Sequence, residues 1–124
     1  MTSITTFLMF DGTAEAAVSF YVSLFRDGEI VSLDRYGAGE QGKEGSVRRA
    51  VVKLAGQTLI AIDTPVKHAF GFTPSISLFV NCDGDAEFAR LFAALSEGGQ
   101  VLMPASKYGF SRKFGWCSDR FGVS

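Results

Sequence analysis

Two stretches of the chain run through the same succession of apolar patterns. Ile4 to Phe10 and Ile76 to Val80 are rich in β-branched and aromatic residues, and each run leads to an Asp-Gly pair. That pattern predicts a strand followed by a tight turn. Beyond the turns the period changes. Ala17, Phe20, Tyr21 and Leu24, and then Phe88, Leu91, Phe92 and Leu95, recur at the spacing of one buried helical face. Thr13 and Asp85 stand where an N-cap is needed, and Glu15 and Glu87 put negative charge into the first turn against the helix dipole. Gly28 and the Gly98-Gly99 pair end the helices.

The likeness extends to residue identity. Phe7 to Phe20 and Phe79 to Phe92 match at seven of fourteen positions with a constant offset of 72, so the chain contains one unit twice. After the first helix, Glu29 to Tyr36, Ser46 to Leu54 and Thr58 to Asp63 read as strands, the last two joined by a turn at Ala55-Gly56. The second copy offers Gln100 to Met103, Phe114 to Cys117 and the pair Val123-Ser124 in the same roles, with the turn region Asp119 to Gly122 between. The expected architecture is α+β: one domain over 1–124 made of two βαβββ units, 1–64 and 74–124, the second with a shortened last strand that leaves its sheet partner incompletely bonded. Asp63 to Thr73 connects them, and Gly37 to Gly45 is expected to be a mobile polar loop.

Composition narrows the functional classes. The 124 residues suit a single core, and 47% of them are hydrophobic against 20% charged, which excludes intrinsic disorder. A net charge of -1 provides no excess basic field for phosphates, so neither nucleic acid nor a membrane surface is expected as a partner. The longest uncharged run, Ala69 to Cys82, contains Pro74 and is too short to span a bilayer. No secretory leader is visible, and two cysteines, Cys82 and Cys117, suit a reducing cytoplasm.

Several residues invite chemical readings. Gly37, Gly39 and Gly42 spell G-x-G-x-x-G, but a strand follows where a phosphate site requires a helix N-terminus, and Glu44 stands where magnesium would require Ser or Thr. His68 is the single histidine and is expected at the surface. Cys82 and Cys117 lack a histidine nearby in sequence that would make a thiolate, so both are expected as small core residues. Asp11 and Asp83 are equivalent under the repeat, which marks them as turn residues rather than an acid and base pair. Tyr108, Phe110, Phe114 and Trp116 form an aromatic cluster suited to a core, a dimer contact or a pocket lining. Arg48 and Arg49 are neighbours on a strand, so at most one can face a cavity and hold an anion. Lys107, Arg112 and Lys113 are expected in solvent.

With the tandem βαβββ units, the opening FDGTAEAAVSFYVSLF and the closing GWCSDRFGVS, the sequence resembles the vicinal oxygen chelate superfamily, and within it the PhnB-like branch labelled 3-demethylubiquinone-9 3-methyltransferase. The resemblance implies the glyoxalase/bleomycin-resistance fold, with strongly curved mixed sheets around a cavity, and a homodimer. It also implies four inward metal ligands, on the first and last strand of each unit. Those positions fall at Thr5 or Thr6, within Leu59 to Ile62, near Ser75, and beyond Ser124. The three that fall within the sequence hold hydroxyl and alkyl groups in place of imidazole or carboxylate, so no metal and no cofactor is expected. The resulting expectation is a cytoplasmic protein that holds a small apolar or aromatic molecule through Thr6, Leu8, Arg48, Ser75, Tyr108 and Trp116, with no catalytic residue identifiable. A methyltransferase-like or glyoxalase-like enzyme is the alternative.

Overall fold

The computed structural model describes residues 1–109 and 111–124; the side chains of Ser111 and Arg112 lie outside that description, as does Phe110 of the expected aromatic cluster. The chain divides into two compact units, Met1–Ala69 and Phe70–Ser124. The boundary falls inside the expected connector.

Unit 1 carries β1 (Thr6–Phe10), α1 (Ala14–Leu24), β2 (Glu29–Arg35), β3 (Val47–Leu54) and β4 (Gln57–Asp63). Its sheet has the order β1-β4-β3-β2, with β1 parallel to β4 and the other pairs antiparallel. Register assigns the faces, because residues paired across neighbouring strands point to the same side. Thr6, Leu8 and Phe10 pair with Leu59, Ala61 and Asp63, and Val52 and Ala50 pair with Leu59 and Ala61. On this face Val47, Ala50, Val52, Leu59 and Ala61 are buried, and α1 lies over it through Ala14, Ala17, Val18 and Tyr21. Fully enclosing side chains the size of Val18, Val47 and Val52 contributes about 1.5 to 3 kcal/mol each. The opposite face carries Phe7, Met9, Val51, Ile60 and Ile62.

Asp63 ties these elements together. It is 2% exposed, and its carboxylate accepts three backbone N–H groups. Oδ1 accepts from Gly12 at 2.8 Å and Ala14 at 2.9 Å; Oδ2 accepts from Val47 at 2.9 Å. Ala14 is the first helical residue, so its N–H is an orphan donor of α1, and Gly12 lies just before the N-cap; this distant carboxylate replaces the local cap. Thr13 does occupy the N-cap position, but its side chain makes no capping bond.

Unit 2 carries α2 (Asp85–Ser96), β5 (Gln100–Tyr108) and β6 (Ser111–Ser118), the strands forming an antiparallel pair longer than the apolar runs alone suggest. Gly84, not Asp85, is the N-cap of α2; Asp85 is its first helical residue, and the Glu87 carboxylate turns back to accept the Asp83 N–H at 2.7 Å. A Cβ at Gly99 would stand 2.1 Å from the Ser118 carbonyl oxygen, so glycine permits the close start of the β5–β6 pair. The expected strand at Ile76 to Val80 does not form. β1 has a ladder along β4, whereas among the described residues the 76–80 backbone makes one backbone bond outside regular elements, from the Leu78 N–H to the Ser124 carbonyl at 2.9 Å. Apolar content alone does not make a strand without a partner backbone. No helix among the described residues is long and apolar enough to cross a membrane.

Two expectations follow for folding stability. Ala55 and Gly56 take φ values of 50° and 83°, the mirror-image turn of a two-residue hairpin, which alanine disfavours. Ala55→Asn is expected to raise stability by up to about 1 kcal/mol in urea unfolding, and Gly56→Ala to lower it. Asp63→Ala leaves three inward N–H groups without their acceptor, and a loss of roughly 3 to 5 kcal/mol is expected in the same measurement.

Candidate functional site

Of the aromatic residues singled out from the sequence, Tyr108 ends β5, and Phe114 and Trp116 stand on β6. α2 rests against one side of β6: a Cβ at Gly115 would meet the Phe92 ring at 2.5 Å, and the Lys113 ammonium sits 5.8 Å from the Phe88 ring centroid. Lys113 is exposed as expected, and its ammonium has an aromatic neighbour as well. Strand alternation turns Phe114 and Trp116 to the other side. There Tyr108 meets Phe114 edge-on, with centroids 5.9 Å apart at 87°, and Phe79 approaches Phe114 at 6.0 Å. Tyr108 thus meets Phe114, which the sequence placed in the cluster, and Phe114 meets Phe79, which it did not; Trp116 shares their side of β6 two residues from Phe114. Their polar ends are fixed as well. Tyr108 donates its hydroxyl to the Pro104 carbonyl at 2.8 Å, and the Trp116 indole Nε1–H donates to Ser77 Oγ at 3.2 Å. Ser77 Oγ is in turn 2.7 Å from Ser124 Oγ, which bonds the Ile76 carbonyl at 2.8 Å.

The remaining expected site residues are placed differently. Ser75 is exposed and shares a hydrogen bond with the Thr73 hydroxyl at 2.8 Å; Ser77, two residues on, is the serine that meets the indole. In unit 1, Thr6 accepts from Gln57 Nε2 at 3.3 Å and, like Leu8, belongs to the face that α1 covers, so Phe7 and Met9 are the β1 residues on the uncovered face. Arg48 is the extra residue of a β-bulge, since Asp34 and Arg35 pair with Arg49 and Val47 in turn. Its guanidinium pairs with Glu40 at 3.2 Å. The adjacent Arg49 follows the alternation of Val51 and Lys53 onto the uncovered face.

The other chemical readings resolve into structure. The Gly37 to Gly45 loop is held, not loose: the Tyr36 and Ser46 backbones pair, the Gly45 N–H returns to the Tyr36 carbonyl, and the Glu40 carboxylate accepts from Gly37. Gly42 lies flat against the buried Tyr36 ring, where a Cβ would come within 2.3 Å. Its glycines serve turns and packing. Asp11, Asp83 and His68 are exposed. Burial pushes both thiols above the ordinary range; Glu87 adds to the rise at Cys82, against a smaller opposing effect from Arg90, and Asp119 adds to it at Cys117. At neutral pH the thiols are therefore protonated and poor nucleophiles. Among the described residues, no three His, Cys, Asp or Glu side chains come together as metal ligands, and Ile60 and Ile62 on the uncovered face are alkyl groups that cannot ligate.

The closing motif is a folding device. Within GWCSDRFGVS, Gly115 admits Phe92, and the buried Asp119 carboxylate accepts the Phe121 and Val123 N–H groups at 2.8 and 3.0 Å. The opening motif serves the same end, since the Gly12 of its Asp-Gly pair donates to Asp63. These local structures decide a comparison with known proteins. The family model described as 3-demethylubiquinone-9 3-methyltransferase matches residues 2–124. The chain belongs to this family. A PhnB protein from Bacillus cereus is 49% identical, with a TM-score of 0.95 over 98% of this chain and 95% of that one. Protein PA1353 from Pseudomonas aeruginosa is 30% identical, with a TM-score of 0.87 over 99% of this chain and 93% of that one. TioX from Micromonospora sp. ML1, 18% identical with a TM-score of 0.57 over 98% of this chain and 90% of that one, shares the fold alone. No curated protein matches the chain.

The raised thiols give an expected pH profile. A group whose protonated form is favoured by folding loses that form only above its ordinary range, so iodoacetamide labelling of native Cys82 and Cys117 is expected to be slow at pH 7 and to accelerate at higher pH than a free thiol does. Mass spectrometry of each site, native against urea-unfolded, checks this.

Proposed function

We propose that this member of the 3-demethylubiquinone-9 3-methyltransferase family binds a small, flat, largely apolar or aromatic molecule on the aromatic face of its β5–β6 hairpin. The observation that carries the reading is the Tyr108–Phe114–Phe79 ring cluster on the side of β6 opposite α2, with Trp116 two residues along the same side of the strand and its indole N–H donating to the Ser77 hydroxyl. An edge-on pair such as Tyr108 and Phe114 leaves ring surface for another ring, and the hydroxyls offer a partner to an oxygen substituent at its rim. The family's description names a quinone-derived ring, which has that shape and those substituents.

Binding in this reading requires no metal. The donors are hydroxyl and indole groups, which bind a ring and its oxygen substituents without a cation. The thiols, half-buried and unbridged, suit a cytoplasmic setting. Exposed apolar side chains such as Phe70, Ile76 and Phe79 support association of two copies into a homodimer.

Trp116 is the sole tryptophan, so its fluorescence reports on this face alone. Titration with 1,4-naphthoquinone is expected to quench it saturably, and Phe114→Ala or Tyr108→Ala to weaken the affinity about 3- to 10-fold, the worth of one aromatic contact. Linear quenching equal to that of free N-acetyltryptophanamide overturns the reading. The family description also favours a second reading, methyl transfer. If protein incubated with S-adenosylmethionine and a catechol yields a methylated ring by mass spectrometry, catalysis replaces simple binding.

A further inference from the structure

The repeat sets one dipeptide before the helix of each unit, and the structure treats its two copies differently. Asp11-Gly12 precedes α1 and Asp83-Gly84 precedes α2. All four residues are exposed, the glycines take φ values of 91° and 96°, and a Cβ at either glycine would meet nothing within 4 Å. Access and glycine conformation therefore do not separate the copies. The hydrogen bond at the glycine nitrogen does. The Gly12 N–H is held by the buried Asp63 carboxylate at 2.8 Å, whereas the Gly84 N–H meets no acceptor among the described residues. The Glu87 carboxylate accepts from the preceding N–H, that of Asp83, at 2.7 Å.

We infer that Asp83-Gly84 is a modification site, where the backbone rearranges to isoaspartate, and that the Asp63 bond protects Asp11-Gly12 from the same reaction. Water is the one reagent required. The Gly84 nitrogen attacks the carboxyl carbon of the Asp83 side chain; a C–N bond forms, and one carboxyl oxygen leaves as water with the amide proton and a proton from solvent. Water then opens the five-membered imide. Addition at the side-chain carbonyl restores aspartate, whereas addition at the backbone carbonyl routes the chain through the side chain, with one more methylene and a free α-carboxylate. Glycine puts no Cβ in the way of the attack. At Gly12 the nitrogen must first give up a charge-assisted bond, and removing its proton sets a second negative charge beside the Asp63 carboxylate. Gly84 carries no such bond. The altered link lies between the Asp83 N–H held by Glu87 and the Gly84 carbonyl that accepts the Phe88 N–H at 3.1 Å, so the rearrangement lengthens the chain within the cap of α2.

The test incubates the whole chain in warm, mildly alkaline buffer, native and in urea, and follows both sites over time by peptide mass spectrometry. Electron-transfer fragmentation distinguishes the two linkages, which have equal mass, and assigns each to its residue. In the native chain isoaspartate is expected to accumulate roughly tenfold faster at Asp83 than at Asp11, the worth of one hydrogen bond to a charged acceptor. In urea, where the Asp63 bond is lost, the two rates are expected to converge. Asp83→Glu, whose ring would be six-membered, is expected to remove the product at that site and leave the rate at Asp11 unchanged; the residue is exposed, and circular dichroism verifies the fold. Equal rates at the two sites of the native chain, rearrangement at neither site while the urea sample yields both, or a difference that persists in urea overturns the inference.

Discussion

The structure of unit 1 depends on one buried carboxylate. Asp63 ends β4, and from there its two oxygens hold the first turn of α1 and the first residue of β3. Burying a charge is costly unless its acceptor sites are filled; three converging N–H groups, two of them at the positive end of a helix, fill them. The same bonds orient the helix over the sheet, because Gly12 and Ala14 can both reach Oδ1 only when α1 starts above the end of β4. The Thr64 N–H to Phe10 carbonyl bond at 2.7 Å secures β1 to β4 at the same corner. Which face is covered, and therefore which residues stay on the uncovered one, follows from this point.

Unit 2 is built from the same opening segment with a different corner. Its buried carboxylate, Asp119, serves a turn and not a helix, accepting from Phe121 and Val123, while α2 is started by Gly84 and the Glu87 carboxylate. Fewer strands leave less to bury: Leu91 is the single fully buried residue of α2, against Ala14, Ala17, Val18 and Tyr21 in α1. The consequence reaches the candidate site. Where β1 is locked into a sheet, the segment around Ser77 and Phe79 is attached by side chains to β6, and those attachments are what assemble the aromatic face.

Much of this was legible in the chain. The change from strand-like runs to a period near 3.6, the Asp-Gly turns and the repeat located both helices, the five elements of the first unit and the order in which they come. The contact of Tyr108 with Phe114 could be anticipated because aromatic residues are dense and closely spaced over 108–116. Asp63 was missed as the cap of α1, since nothing local distinguishes a carboxylate at a strand end from one that reaches a helix 49 residues away. Ser77 and Phe79 were missed for a related reason: their partners lie more than thirty residues off, and the region read as a strand. Apolar composition predicted that strand, but pairing depends on a second backbone that composition does not reveal.

The division between covered and uncovered faces explains why sequence motifs and chemistry separate in this fold. A strand has period two, so a register error of one residue exchanges every inward side chain for its neighbour. The sequence leaves the register of β1 open by one residue, and that single step decides between Thr6 with Leu8 and Phe7 with Met9 on a given face. The bulge at Arg48 makes a second such exchange within β3: without the extra residue, strict alternation from Val47 would give Arg48 the place that Arg49 takes. The residues that spell recognisable motifs, Asp-Gly and Gly-Trp, are held in this chain by a turn and a close approach: Gly12 donates to Asp63, and Gly115 admits the Phe92 ring.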